Sequence, residues 1–179
     1  MKTVAIAFTA VTLLISSSSA FAQSVGEKTG VNAMLGTAPS TQDFVTQAAM
    51  SDMFEIESSK LAQANAANEK TKAFAARMVK DHTTTSTELK GLLSGGKVKA
   101  DLPAATDASH KSKIEKLQGL KSKDFDKQYN SEQETAHKDA VALFERYAKG
   151  GDNADLKAFA AKHLPHLQEH LKMAEDLNK

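Results

Sequence analysis

The sequence predicts an all-α protein: a four-helix bundle of two antiparallel helical hairpins, joined by a long crossover that carries a short helix of its own. Three observations predict it. Alanine, lysine, leucine and glutamate are plentiful while the 179 residues hold only 3 prolines, a balance that favours helix. Four long stretches repeat apolar residues at helical spacing, with no convincing strand alternation. Glycine pairs at Gly95-Gly96 and Gly150-Gly151 stand where two of these stretches end.

Taken in order, Met1–Ala22 has one basic residue, Lys2, an apolar run from Val4 to Ile15 and then Ala20-Phe21-Ala22, the small-x-small pattern of a secretory signal cut before Gln23. The run is shorter than the ~20 residues that span a bilayer, so no transmembrane anchor is expected after cleavage. From Gln23 to Pro39 the chain is small and polar, the composition of a flexible leader. The bundle domain is expected over 40–179. Helix 1 is predicted over 42–65, capped by Ser40 or Thr41. Helix 2 starts at Asn68-Glu69 and stops at Ser94-Gly95-Gly96. The few residues between the two make them an antiparallel hairpin.

The crossover, 97–123, contains Pro103 and one short helix capped at Thr106 or Asp107 and ending near Gly119. Helix 3 runs from about Ser122 to Gly150. Helix 4 follows a cap at Asp152 or Asn153 and keeps its apolar stripe to Leu177, so Pro165 is expected to kink it rather than end it. The second hairpin echoes the first, LKAFAAKH at 156–163 against TKAFAARM at 71–78, and duplication of one hairpin is one explanation. One long connection is the ferritin-like variant of the four-helix bundle.

At about 100° per residue, His82 falls near the centre of the helix 2 stripe and Asp81 at its edge, where it reads as a boundary residue. His137 and Gln133 lie inside the helix 3 stripe. On helix 4 His163 and His170 lie inside and His166 to the side. Helix 1 is apolar over more of its circumference, and Glu55 shares a side with Phe44, Ala48 and Ala62. Glu55, His82, His137 and His170 are therefore expected to face one another in the interior. Imidazoles with a carboxylate suit a single transition-metal ion (Zn, Cu, Fe or Ni) as cofactor. The alternative is a polar layer that fixes helix register, for example with His82 bonded to Glu55. His163 and His166, with His170 along one side of helix 4, form a second-choice metal cluster. His110, in the crossover, is expected to be solvated, and Tyr129 and Tyr147 to be core.

Composition excludes several chemistries. The chain has no cysteine, which removes disulfides, thiolate sites and a lipid-anchored cysteine. Removing Met1–Ala22 takes away Lys2 and no acid, which leaves 22 basic and 22 acidic residues. A neutral chain without a basic block is a poor partner for nucleic acid. There is no Gly-x-Ser-x-Gly elbow and no glycine-rich phosphate loop, so no catalytic residue is assigned.

Several residue runs resemble an exported bacterial ferritin-like family catalogued as domain of unknown function 4142. They include Phe54-Glu55-Ile56-Glu57, Met78-Val79-Lys80-Asp81-His82, Leu102-Pro103, Phe125-Asp126 with Tyr129, Gln133 with His137, and Leu164-Pro165 with His170. The resemblance implies a periplasmic or envelope-associated helical bundle with no reaction attached, in a family often labelled outer-membrane proteins. It matches His82, His137 and His170, but not His163 or His166. Helix 2 has Val79-x-x-His82 and helix 4 Leu167-x-x-His170 where di-iron bundles carry Glu-x-x-His, so a ferroxidase centre is not expected.

The expected function is thus a non-catalytic binding or stress-related module of the envelope, periplasmic or secreted. The alternative is a periplasmic metal-binding, redox-active protein. A membrane-surface partner is suggested only by the outer-membrane label, since the helices lack a cationic face and the chain has no tryptophan. Nothing in the sequence sets an oligomeric state.

Overall fold

A computed structural model describes residues 31–179. The expected signal segment, its cut before Gln23 and the start of the leader lie outside the described residues. Within the rest of the leader there is one helical turn, Val31–Met34. Its end is tied to the bundle, because the Thr37 carbonyl accepts a bond from Arg146 Nη1 at 2.7 Å and Pro39 is buried.

Five longer helices follow: α1 (Thr41–Asn65), α2 (Glu69–Ser94), α3 (Ala108–Gln118), α4 (Ser122–Gly150) and α5 (Ala154–Leu177). Among the described residues there is no strand, only an isolated bridge between Ala66 and Ser122. Among the described residues no helix is long and apolar enough to cross a membrane. Each helix start except that of α4 has a side-chain cap that satisfies an orphan backbone N–H. Ser40 accepts from Asp43, Asn68 from Lys70, Asp107 from His110 and Asn153 from Leu156. The other cap candidates lose to tertiary bonds in one case: Thr41 Oγ1 meets the Tyr147 hydroxyl at 2.6 Å. Helix α5 runs through Pro165 to Leu177 without ending, as the continuous apolar stripe requires.

The hairpins α1–α2 and α4–α5 pack side by side, α1 against α4 and α2 against α5. Phe44 meets Phe144 while Ser59 meets Tyr129, so α1 and α4 are antiparallel. Arg77 meets Glu169 while Glu88 meets His163, so α2 and α5 are antiparallel too. The order is up, down, down, up, and the crossover therefore travels the length of the bundle, with α3 laid on α1. Gln42 clamps the start of that crossover through a pair of 2.9 Å bonds with the Asp101 backbone. Asp126 closes the opposite end by accepting from the backbone N–H groups of Ala67 and Asn68. His110 is not solvated as expected: it bonds Asp107 at 3.0 Å and tilts against the Phe54 ring, with a centroid separation of 5.1 Å.

The core is divided. One apolar cluster gathers Phe44, Leu89, Phe144, Tyr147, Leu156 and Phe159 at one end. A second gathers Phe74, Met78, Leu117, Phe125, Tyr129 and Ala174 at the other. Between them Phe54 and Ala136 pack with Ile114 of α3 as a third, smaller apolar cluster, and every bundle helix also carries polar residues there: Asp52 and Glu55 on α1, His82 on α2, Gln133 and His137 on α4, His170 on α5. All six are buried. Tyr129 and Tyr147 are fully buried as expected, their hydroxyls bonded to Ser59 and to Thr41.

Two glycines have opposite expected responses. A Cβ on Gly151 would stand 2.5 Å from Tyr147 Cε1 and 2.7 Å from its carbonyl oxygen, whereas one on the exposed helical Gly91 meets nothing within 4 Å. Gly151→Ala should cost ~1–3 kcal/mol by displacing Tyr147. Gly91→Ala should add ~0.5–1 kcal/mol by restricting the unfolded chain. Urea denaturation of both variants checks the pair, and stabilisation by Gly151→Ala would contradict the packing described.

Candidate metal centre

His82, His137 and His170 reach the middle of the bundle from three different helices, each between the two apolar clusters. Local sequence explains how α2 tolerates its Thr-rich stretch here. Thr83, Thr84, Thr85 and Thr87 each bond back to the carbonyl four residues earlier, at 2.6–3.1 Å, so their hydroxyls do not compete for the helix backbone. His82 and Ser86 are left as the inward polar groups of that stretch.

The three rings form a near-equilateral triangle, with centroids 5.6, 5.6 and 5.5 Å apart. One nitrogen from each lies within 4.8 Å of one from each of the others. Every ring is held from outside through its second nitrogen. His82 Nδ1 bonds Asp52 Oδ1 at 2.8 Å, His137 Nδ1 donates to the Gln133 carbonyl at 2.8 Å, and His170 Nε2 bonds Asp81 Oδ2 at 3.0 Å. The remaining nitrogens, His82 Nε2, His137 Nε2 and His170 Nδ1, are buried without a hydrogen-bond partner. Because the outer nitrogens face acceptors and so carry the protons, a neutral ring presents a lone pair at its free nitrogen. This is the way outer partners orient metal-binding imidazoles.

The four-residue set expected from sequence becomes three here. Glu55 is buried in the same layer, but its nearest approach to the triangle is Oε1 at 3.9 Å from His137 Nδ1, the nitrogen already bonded to the Gln133 carbonyl. It does not join the converging donors. Nor is Glu55 the bonded partner of His82. That partner is Asp52, which sequence reasoning missed; its second oxygen accepts from Ser86 Oγ at 3.0 Å. Its only sequence signal was its position three residues before Glu55, on the same side of α1. Asp81 is a half-buried boundary residue as expected, yet it holds His170 across the α2–α5 seam. Arg77 Nε bonds the same Asp81 oxygen at 3.2 Å. The second-choice residues stand apart: His163 Nε2 pairs with Glu88 at 2.8 Å, and His166 is exposed.

Burial dominates the electrostatics. It pushes the Glu55 carboxyl up from 4.5 to about 7, only partly offset by the His82 charge. It pulls His137 down from 6.5 to about 3 and His170 down to about 4, in both cases reinforced by a charged His82. Burial also opposes charge on His82, but the bond to Asp52 and the charges of Asp52, Glu55 and Asp81 outweigh it and raise that histidine above its ordinary value.

The sign of the pH dependence follows. Depressed His137 and His170 remove stability as pH falls below 6.5, because the unfolded chain takes up those protons first. Raised Glu55 and His82 act oppositely, their contributions being present at low pH and lost as pH rises through their folded values. Near pH 5.5 the folded layer holds two protons, on His82 and Glu55, while the unfolded chain holds nearly three, on its histidines. The metal-free protein should therefore lose on the order of 1 kcal/mol between pH 6 and pH 5. Urea unfolding in chelator at the two pH values measures this, and a gain in stability at pH 5 would refute the charge assignment.

Residues 26–177 match the sequence model of the family described as Domain of unknown function (DUF4142). No curated protein and no solved structure matches the chain. With the match spanning nearly all of the bundle and its histidine layer, the chain belongs to the DUF4142 family.

Proposed function

We propose that this protein binds one transition-metal ion through His82 Nε2, His137 Nε2 and His170 Nδ1, in an exported bundle of ferritin-like connectivity. The observation that carries the proposal is the convergence of three buried imidazole nitrogens that have no other partner. An unmade hydrogen bond at a buried polar group costs ~1–3 kcal/mol. A cation turns three such costs into three bonds.

The centre of a triangle with sides of at most 4.8 Å lies within ~2.8 Å of each corner, against ~2.0–2.1 Å for a zinc–nitrogen bond. Small side-chain rotations close that difference. Three nitrogens leave a fourth position for water or an exchangeable ligand, and the donor set suits zinc, copper, iron or nickel. Asp52 and Asp81 would orient the rings, and Glu55 would offer compensating charge nearby. The exported location rests on the Met1–Ala22 segment. An envelope role without turnover is consistent with a sequence that has no cysteine, no Gly-x-Ser-x-Gly elbow and no glycine-rich phosphate loop.

Purified protein from metal-supplemented medium should carry close to one equivalent of metal by elemental analysis, and added zinc should raise the melting temperature by several degrees. His82→Ala should abolish both effects. Asp52→Asn should keep binding but weaken it ~10–100-fold through loss of ring orientation. Less than a tenth of an equivalent, with no thermal shift from zinc or copper, would leave the layer as a purely structural register device.

A further inference from the structure

Beside the histidine triangle the α2–α5 seam opens into a cleft of about 750 Å³, and His82 and His170 form part of its wall. Along the bundle axis the triangle lies between the two apolar clusters, with the Phe74 ring 6.1 Å from that of His137. His137, reaching in from α4, does not line the cleft. The cleft is therefore the side from which solvent meets the site.

The wall carries a repeated feature. Asp81 on α2 bonds His170 on α5 at 3.0 Å, and Glu88 on α2 bonds His163 on α5 at 2.8 Å. Each pair is a carboxylate from one helix and an imidazole from the other, and the two are seven residues apart on both helices. Antiparallel helices bring that spacing into register, with the rungs ~10 Å apart along the seam. His166 lines the same cleft on α5, three residues from His163 and four from His170. Lys162 caps the outer rung, its ammonium 2.8 Å from both Glu88 oxygens. The Lys162 side chain is 62% exposed, so the pairing is screened by solvent and is weak enough for a divalent ion to compete with it.

We infer that the cleft is the entry path of the metal ion, and that Glu88 and His163, helped by His166, form an outer loading stop from which the ion passes to the three-histidine site. The inference rests on the reading of that inner site as a metal centre. A stop on the path accelerates loading and release by the same factor and leaves the inner equilibrium constant untouched. A merely structural rung would instead change affinity or melting temperature.

Zinc alone is the probe, followed with a chromogenic chelator at equilibrium and by stopped flow on the full exported chain. The wild type should show one tight equivalent and one weaker one. His163→Gln/His166→Gln should lose the weaker equivalent, slow zinc uptake and release about tenfold each, and hold the tight affinity within about twofold. Glu88→Gln, which keeps the side-chain size, should act in the same direction if the double variant folds poorly. Lys162→Gln should speed loading by removing the competing ammonium. Wild-type rates in both the Glu88 and the histidine variants, with the tight equivalent retained, overturn the loading stop alone. Absence of any zinc equivalent in the wild type overturns the metal centre and the path together.

Discussion

The structure depends on a constraint at its middle: three imidazole nitrogens, buried and without hydrogen-bond partners, face one another between two apolar clusters. Apolar side chains in this layer would join the clusters into one continuous core, at no cost in unmade hydrogen bonds. Several buried groups at ~1–3 kcal/mol each are a large fraction of the ~5–15 kcal/mol that holds a domain together. Such a layer is reasonable when something bonds to it. A cation does so in a way that water cannot match, since it satisfies three lone pairs at one point.

The rest of the bundle sets the direction of those nitrogens. Asp52 holds His82 and Ser86 together, fixing α1 to α2 at the level of the site. Asp81 holds His170 across the α2–α5 seam and is itself gripped by Arg77, whose guanidinium also forms two bonds with Glu169. His137 needs no neighbouring helix, because its partner is the carbonyl one turn earlier on α4. Glu55, pushed toward its neutral form by burial, lies on the outer side of His137. The triangle is therefore trivalent, and its open side is the one that the α2–α5 cleft reaches.

The same seam links site and surface. Carboxylates on α2 and imidazoles on α5 meet twice at heptad spacing, and only the inner rung leaves an imidazole nitrogen aimed at the triangle. The two rungs are alike in burial, His163 being 7% and His170 2% exposed, and they differ in what the second imidazole nitrogen faces.

Much of this was legible in the residues. Helical periodicity placed the bundle helices, cap residues and glycine pairs placed their ends to within a residue or two, and the short and long connections implied two hairpins and a crossover. The inward direction of His82, His137 and His170 was also legible, since each is a histidine inside an otherwise apolar stripe. Helix α1 was less so, because it is apolar over much of its surface and offers no single stripe from which to judge Asp52 against Glu55. What the sequence by itself determined is therefore local: which segments are helical and which face of each is buried, both set by spacing within one helix. Only the tertiary structure decided that Asp52 rather than Glu55 binds His82, that Asp81 serves His170, and that Glu88 meets His163. Those pairings join residues 30 to 89 positions apart. They depend on how far one helix is rotated and slid against another, which is set by packing of the whole core.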